Sequence, residues 1–140
     1  MKPLFTAHAL ATGGRNGHSE ASDKSVVVDL SIPKEMGGPG KPGTTTPEHL
    51  FAVGYAACFG SALEFVARQK KISVEGFSIT SHVTIGAKDG GGFQLAVELE
   101  AYVPGHAQSD AAALVAEAHM VCPYSNATRG NIEVKLTTRV

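Results

Sequence analysis

The strongest constraint on how this chain can fold is one apolar run, TPEHLFAVGYAACFGSALEFVARQK, at residues 46–70. Its start carries helix signals in the right order. The Thr46 hydroxyl can cap, Pro47 fits the first helical position, and Glu48 meets the positive end of the helix dipole. From Leu50 to Leu63 no residue is charged, and polarity is limited to the hydroxyls of Tyr55 and Ser61 and the thiol of Cys58. A helix that is apolar on every side is expected to be buried on every side. The uncharged run is shorter than the ~20 residues that span a bilayer, and Glu64, Arg68, Lys70 and Lys71 return the chain to water. The stretch therefore predicts a central core helix with Cys58 in its middle.

A chain of 140 residues fits one domain, residues 1–140, with a single core. Its net charge of −1, with acids and bases interspersed, offers nothing for nucleic acid or an anionic membrane surface to hold. The first residues, MKPLFTAHALATGG, lack the apolar run and cleavage pattern of a leader. The expected compartment is thus the cytoplasm, where structural disulfides are rare. The two cysteines, Cys58 and Cys122, are too few for a disulfide scaffold and too far apart for a CxxC motif.

Around the core helix, alternation and punctuation predict the remaining elements. Residues 3–11 and 25–32 read as strands of an opening hairpin, joined through the glycine-rich turn ATGGRNGH. That turn lacks dinucleotide-loop spacing and leads into no helix. Residues 33–47 hold four prolines and four glycines and predict a long loop that closes over a site or reaches a partner. Residues 76–85 and 93–103 alternate as an antiparallel hairpin, with Phe77, Ile79, Val83, Ile85, Phe93, Leu95, Val97, Leu99 and Val103 inward. Ser109 is expected to cap a second helix with Leu114, Val115, Ala118, Val121 and Cys122 on its buried stripe, ending at Pro123. Residues 131–140 read as a closing strand. The sum is an α+β domain of antiparallel sheet around two buried helices. One sheet covers only one side of the central helix, so an intimate, intertwined homodimer is expected to supply the second layer.

Taken singly, each cysteine reads as a small buried hydrophobe. Both fall on predicted buried helix faces, however, and two thiols that meet in a reducing compartment make a dithiol able to cycle to a disulfide. A reactive thiolate in an apolar setting needs a cation beside it. Arg15, on a turn with no hydrophobic role, is the candidate, against the plain reading of a surface arginine. Glu48 could orient that guanidinium through a two-pronged pair, or serve only the helix dipole. Glu48 and Cys58 are ten residues apart, about 15 Å along one continuous helix. A common site then needs a bridging arginine, a helix break near Gly54, or a second subunit. The HxxC pair of His119 and Cys122 is the competing zinc reading, but no second such pair accompanies it.

Three segments, ATGGRNG (11–17), PEHLFAVGYAACF (47–59) and AHMVCPYSNATRGNI (118–132), resemble the signature segments of the Ohr/OsmC family. CPYSNATRGN together with ATGGR is similar to its organic hydroperoxide resistance branch. The resemblance implies an α+β homodimer with helices sandwiched between sheets, no bound cofactor and no metal. It implies a thiol peroxidase that reduces alkyl or lipid hydroperoxides, with Cys58 peroxidatic, Cys122 resolving, Arg15 activating the thiolate and Glu48 holding Arg15. It further implies a dihydrolipoyl group on a lipoylated protein as external reductant. Thr46 and His49 depart from the family's usual Asn and Gln. Phe51, Phe59, Met36 and Met120 are candidates to line an apolar substrate pocket, each equally a core residue. The alternative from another class is a thiol redox sensor or hydrophobic-ligand binder that does not turn over.

Overall fold

The computed structural model describes all 140 residues. The chain forms two compact units, Met1–Leu50 and Phe51–Val140, and the boundary falls in the first turn of the long helix. In the first unit, β1 (Ala9–Thr12), β2 (His18–Ala21) and β3 (Val27–Asp29) make an antiparallel sheet in that order. The expected hairpin is therefore a three-stranded meander. The strand expected at residues 3–11 shortens to β1, and β2 runs between the two expected strands. HSEA has no apolar alternation, so backbone pairing on both edges, and not side-chain pattern, makes it a strand. The proline- and glycine-rich stretch is irregular apart from a 3-10 turn at Lys34–Met36 and an isolated parallel bridge between Thr45 and Leu30. Ser31 closes it, with its hydroxyl 2.7 Å from that of Thr44 and accepting the Lys41 N–H at 2.9 Å.

The long helix α1 runs unbroken over Pro47–Gln69. Its start is capped as the sequence predicts, the Thr46 hydroxyl accepting the His49 N–H at 3.2 Å. At 23 residues it is long and apolar enough to cross a membrane by length and composition alone. Packing in the second unit assigns it to a core instead. Tyr55, Phe59, Ala62, Leu63, Val66 and Ala67 are buried in one cluster with residues from the following elements. Burying a side chain such as Phe59 or Leu63 contributes about 1.5–3 kcal/mol.

The second unit continues with β4 (Ser78–Ala87) and β5 (Phe93–Tyr102), an antiparallel hairpin in which Val83 pairs with Val97. Val97, Leu99, Ala101 and Val103 face the core. Phe93, expected inward, stands at the hairpin tip and is 72% exposed, because nothing packs over the strand's first residues. Then come α2 (Gln108–Val121), α3 (Pro123–Thr128) and β6 (Val134–Arg139). Three expectations change here. First, α2 starts before Ser109, with no side-chain cap, and the Ala107 carbonyl takes the Asp110 and Ala111 N–H groups, each at 3.0 Å. Second, Val121 is 43% exposed, and Ala111 joins Leu114, Val115, Ala118 and Cys122 on the buried stripe. Third, β6 pairs parallel to β5. Two helices carry the chain back over the sheet before β6 enters, and such a crossover returns a strand in the direction of the one it left.

One face of α1 is not covered. Val53 is 70% and Phe65 46% exposed, and Ala57 and Ser61 lie between them on the same stripe. A groove of about 370 Å³ runs beside it, lined by Ala56, Ala57, Gly60, Phe77 and Ile79.

Candidate functional site: a dithiol and a clamped arginine

The glycine-rich turn presents Arg15 through backbone geometry. Gly13 and Gly14 adopt φ of 73° and 58°, the left-handed region that glycine enters without strain. A Cβ on Gly17 would lie 1.8 Å from the Thr12 carbonyl oxygen, so only glycine fits there. Asn16 ties the turn down, its Oδ1 accepting the Ile32 N–H at 2.9 Å. From this turn Arg15 donates to both carboxylate oxygens of Glu48, Nη1 to Oε2 at 2.8 Å and Nη2 to Oε1 at 2.6 Å. Such a two-pronged pair fixes the guanidinium plane as well as its position. The Arg15 hydrogen bonds hold the Glu48 carboxyl below its ordinary range, against the opposing effect of burial. The same pairing raises Arg15, so both stay charged.

The second cluster is the thiol pair. Cys58 is partly buried at mid-α1 and Cys122 is wholly buried between α2 and α3. Their Sγ atoms are 3.6 Å apart although 64 residues separate them in sequence. Both are free thiols. Burial pushes the Cys58 thiol upward, the Tyr124 backbone N–H works against that by favouring the thiolate, and the neighbouring Cys122 adds to the rise. No cation is among the groups acting on it. Beside the pair, Phe51, Tyr55 and Tyr124 form an aromatic cluster with ring centroids 5.6–5.9 Å apart. Gly54 makes room for it, since a Cβ there would lie 2.9 Å from the Tyr124 hydroxyl.

This arrangement can be compared with known proteins. A family model described as OsmC-like protein matches residues 38–137. The chain belongs to the Ohr/OsmC family. It is 55% identical over 137 residues to an organic hydroperoxide resistance protein of Xanthomonas axonopodis pv. citri, covering 97% of this chain and 95% of the relative. It is 43% identical over 136 residues to the organic hydroperoxide resistance protein OhrA of Bacillus subtilis, covering 96% of each. A crystal structure of an organic hydroperoxide resistance protein from Legionella pneumophila superposes with a TM-score of 0.94 at 54% identity, covering 99% of this chain and all of that one. The α+β architecture is thus that of the Ohr/OsmC fold.

Within this Ohr-like fold, the structure pairs Arg15 with Glu48 and Cys58 with Cys122. Of the three ways considered for Glu48 and Cys58 to share a site, a helix break near Gly54 does not occur. The pocket candidates differ in their local surroundings. Phe51 joins the aromatic cluster, whereas Phe59 lies wholly inside the core. Met120 is 60% exposed on α2, and Met36 sits on the 3-10 turn of the first unit. His119 directs Nδ1 to Ser125 at 2.8 Å, and no group of three His, Cys, Asp or Glu side chains is arranged to hold a metal ion. Sequence reasoning missed Tyr55, Tyr124, Ser125 and Thr128. Their signal was spacing: Tyr55 lies three residues before Cys58, and Ser125 three after Cys122.

Proposed function

We propose that this protein is a cysteine peroxidase that reduces organic hydroperoxides, the role for which its relatives are named. The observation that carries the reading is the 3.6 Å approach of a partly buried and a wholly buried thiol. The Cys58 thiolate attacks the terminal peroxide oxygen, the O–O bond breaks, and the alkoxide leaves as an alcohol after taking a proton. Cys58 is left as a sulfenic acid. Cys122 then attacks that sulfur, water leaves, and the sulfurs close from 3.6 Å to about 2.05 Å. A dihydrolipoyl dithiol carried by a lipoylated protein reduces this disulfide by two exchanges, in a reducing cytoplasm.

The raised Cys58 thiol is the reason this scheme needs a cation, and Arg15, oriented by Glu48, is the residue assigned to it. An apolar approach past Phe51 and Tyr124 selects the substrate. Each buried methylene contributes roughly 0.8 kcal/mol, about fourfold in binding, so a four-carbon tail favours an alkyl hydroperoxide over hydrogen peroxide by about two orders of magnitude. A second copy of the chain covers the apolar stripe of α1, giving a homodimer.

The test is consumption of cumene hydroperoxide with dihydrolipoamide as reductant. Multiple turnovers are expected, lost in Cys58→Ser and in Cys122→Ser. One oxidation per chain without recycling would make the protein a sensor.

A further inference from the structure

Outside the thiols, four groups of the second unit form a connected polar chain. Ser125 Oγ lies 2.8 Å from His119 Nδ1 and 2.9 Å from the Tyr55 hydroxyl. The Tyr55 hydroxyl lies 3.1 Å from Thr128 Oγ1, which lies 3.2 Å from the Ser125 carbonyl oxygen. Tyr55 and Ser125 are wholly buried and Thr128 nearly so. Each hydroxyl has one hydrogen to donate, and a carbonyl only accepts. Thr128 therefore donates to the Ser125 carbonyl. Tyr55 must then donate to Thr128, and Ser125 to Tyr55. With the Ser125 hydrogen committed, its contact with His119 is a hydrogen bond only if Nδ1 carries the hydrogen. With all four contacts made as hydrogen bonds, and the Ser125 carbonyl shared between Thr128 and the Arg129 N–H at 2.9 Å, one direction of the chain and one tautomer at its head satisfy every group.

The chain sits one helical turn from both sulfurs: Tyr55 three residues before Cys58, His119 and Ser125 three residues either side of Cys122. It ties α1 to α2 and α3. Cys122, whose Sγ lies 3.6 Å from that of Cys58, is the residue that opens α3, three positions before Ser125. Arg129 braces the same turn, Nη2 donating to the His119 carbonyl at 2.6 Å and Nη1 to Asn126 Oδ1 at 2.8 Å.

We propose that His119 is a positioning residue of the thiol site: as an Nδ1–H donor it heads a one-way hydrogen-bond chain through Ser125, Tyr55 and Thr128 that fixes α3 on α1, and with it Cys122, which opens α3 and meets Cys58 at 3.6 Å. Burial, and secondarily the Arg129 cation, disfavour a charged ring, which leaves Nε2 without a hydrogen. The functional consequence rests on Cys58 being the reacting thiol; the hydrogen-bond chain itself does not.

Two measurements that use no hydroperoxide test it. Long-range proton–nitrogen NMR on the full chain labelled with 15N-histidine, with His119 assigned by its loss in His119→Asn, is expected to show hydrogen on Nδ1 and none on Nε2. Hydrogen on Nε2 alone overturns the proposal. The second is the pH profile of iodoacetamide alkylation at Cys58, located by peptide mass. His119→Leu removes the donor and is expected to slow alkylation at neutral pH by about three- to tenfold, moving the profile upward. His119→Asn keeps a donor near the Nδ1 position and is expected to stay within about twofold of the parent. Identical profiles in all three proteins, or an equal shift in both variants, overturn the positioning role. If His119→Leu does not fold, His119→Gln replaces it, its amide donor lying near the Nε2 position, and must show the same loss. Absent hydroperoxide turnover with these results intact would remove the peroxidase reading and leave the positioning role standing.

Discussion

Cys58 is a thiol whose surroundings oppose its ionisation, and this sets what each neighbouring residue must do. Because burial raises it, its reactivity is expected to climb with pH, and a cation that lowers it extends reactivity downward. On the role proposed for Arg15, Arg15→Ala is expected to move the alkylation midpoint of Cys58 up, costing about tenfold in rate at neutral pH for each pH unit moved. An unmoved profile would separate Arg15 from the thiolate. Glu48 titrates in the opposite sense. Its folded value is depressed below the ordinary 4.5, so its contribution to stability is present above 4.5 and is lost as pH falls through the folded value. Melting temperatures at neutral and acid pH are expected to diverge more in the parent than in Glu48→Gln. At this scale the residue types singled out the groups that the proposed chemistry uses, and the family resemblance supplied the roles proposed for them. The sequence did not show the hydroxyl chain, because Tyr55, Ser125 and Thr128 are ordinary residues until the fold brings them together. His119 looked like half of a zinc motif for the same reason, its Ser125 partner being visible only in three dimensions.

Among the elements, α1 was legible almost to the residue, since capping, charge-free length and the return of charge all agree. The β4–β5 hairpin was legible from strict alternation. β2 and α3 were not, one being a polar strand defined by its neighbours and the other a six-residue helix opened by the proline that ends α2. The parallel entry of β6 depends on how the chain crosses over, which local pattern does not encode. Two glycine and hydroxyl positions test how the elements are joined. Gly17→Ala places a methyl against the Thr12 carbonyl and is expected to destabilise the protein by more than about 2 kcal/mol. Tyr55→Phe leaves the Ser125 and Thr128 hydroxyls short of a partner in a buried site, and is expected to cost about 1–3 kcal/mol. Denaturant midpoints measure both, and a change below about 0.5 kcal/mol in Tyr55→Phe would deny the chain a structural role.

For the whole molecule, the sequence argument that a helix apolar all round needs cover all round meets a single chain that leaves Val53, Ala57 and Phe65 uncovered. The proposed homodimer resolves this. Light scattering is expected to give twice the chain mass, and Val53→Glu with Phe65→Glu to shift it toward the monomer; a monomeric parent would leave the stripe unexplained. The central claim is that the two thiols act as one redox unit. Its most direct measurement is the intact mass of reduced protein after one equivalent of an organic hydroperoxide, with no reductant present. The account predicts rapid loss of two hydrogen atoms, with Cys58 and Cys122 joined in one disulfide-linked peptide. An unchanged mass, or an added oxygen on Cys58 with Cys122 still free, would contradict it.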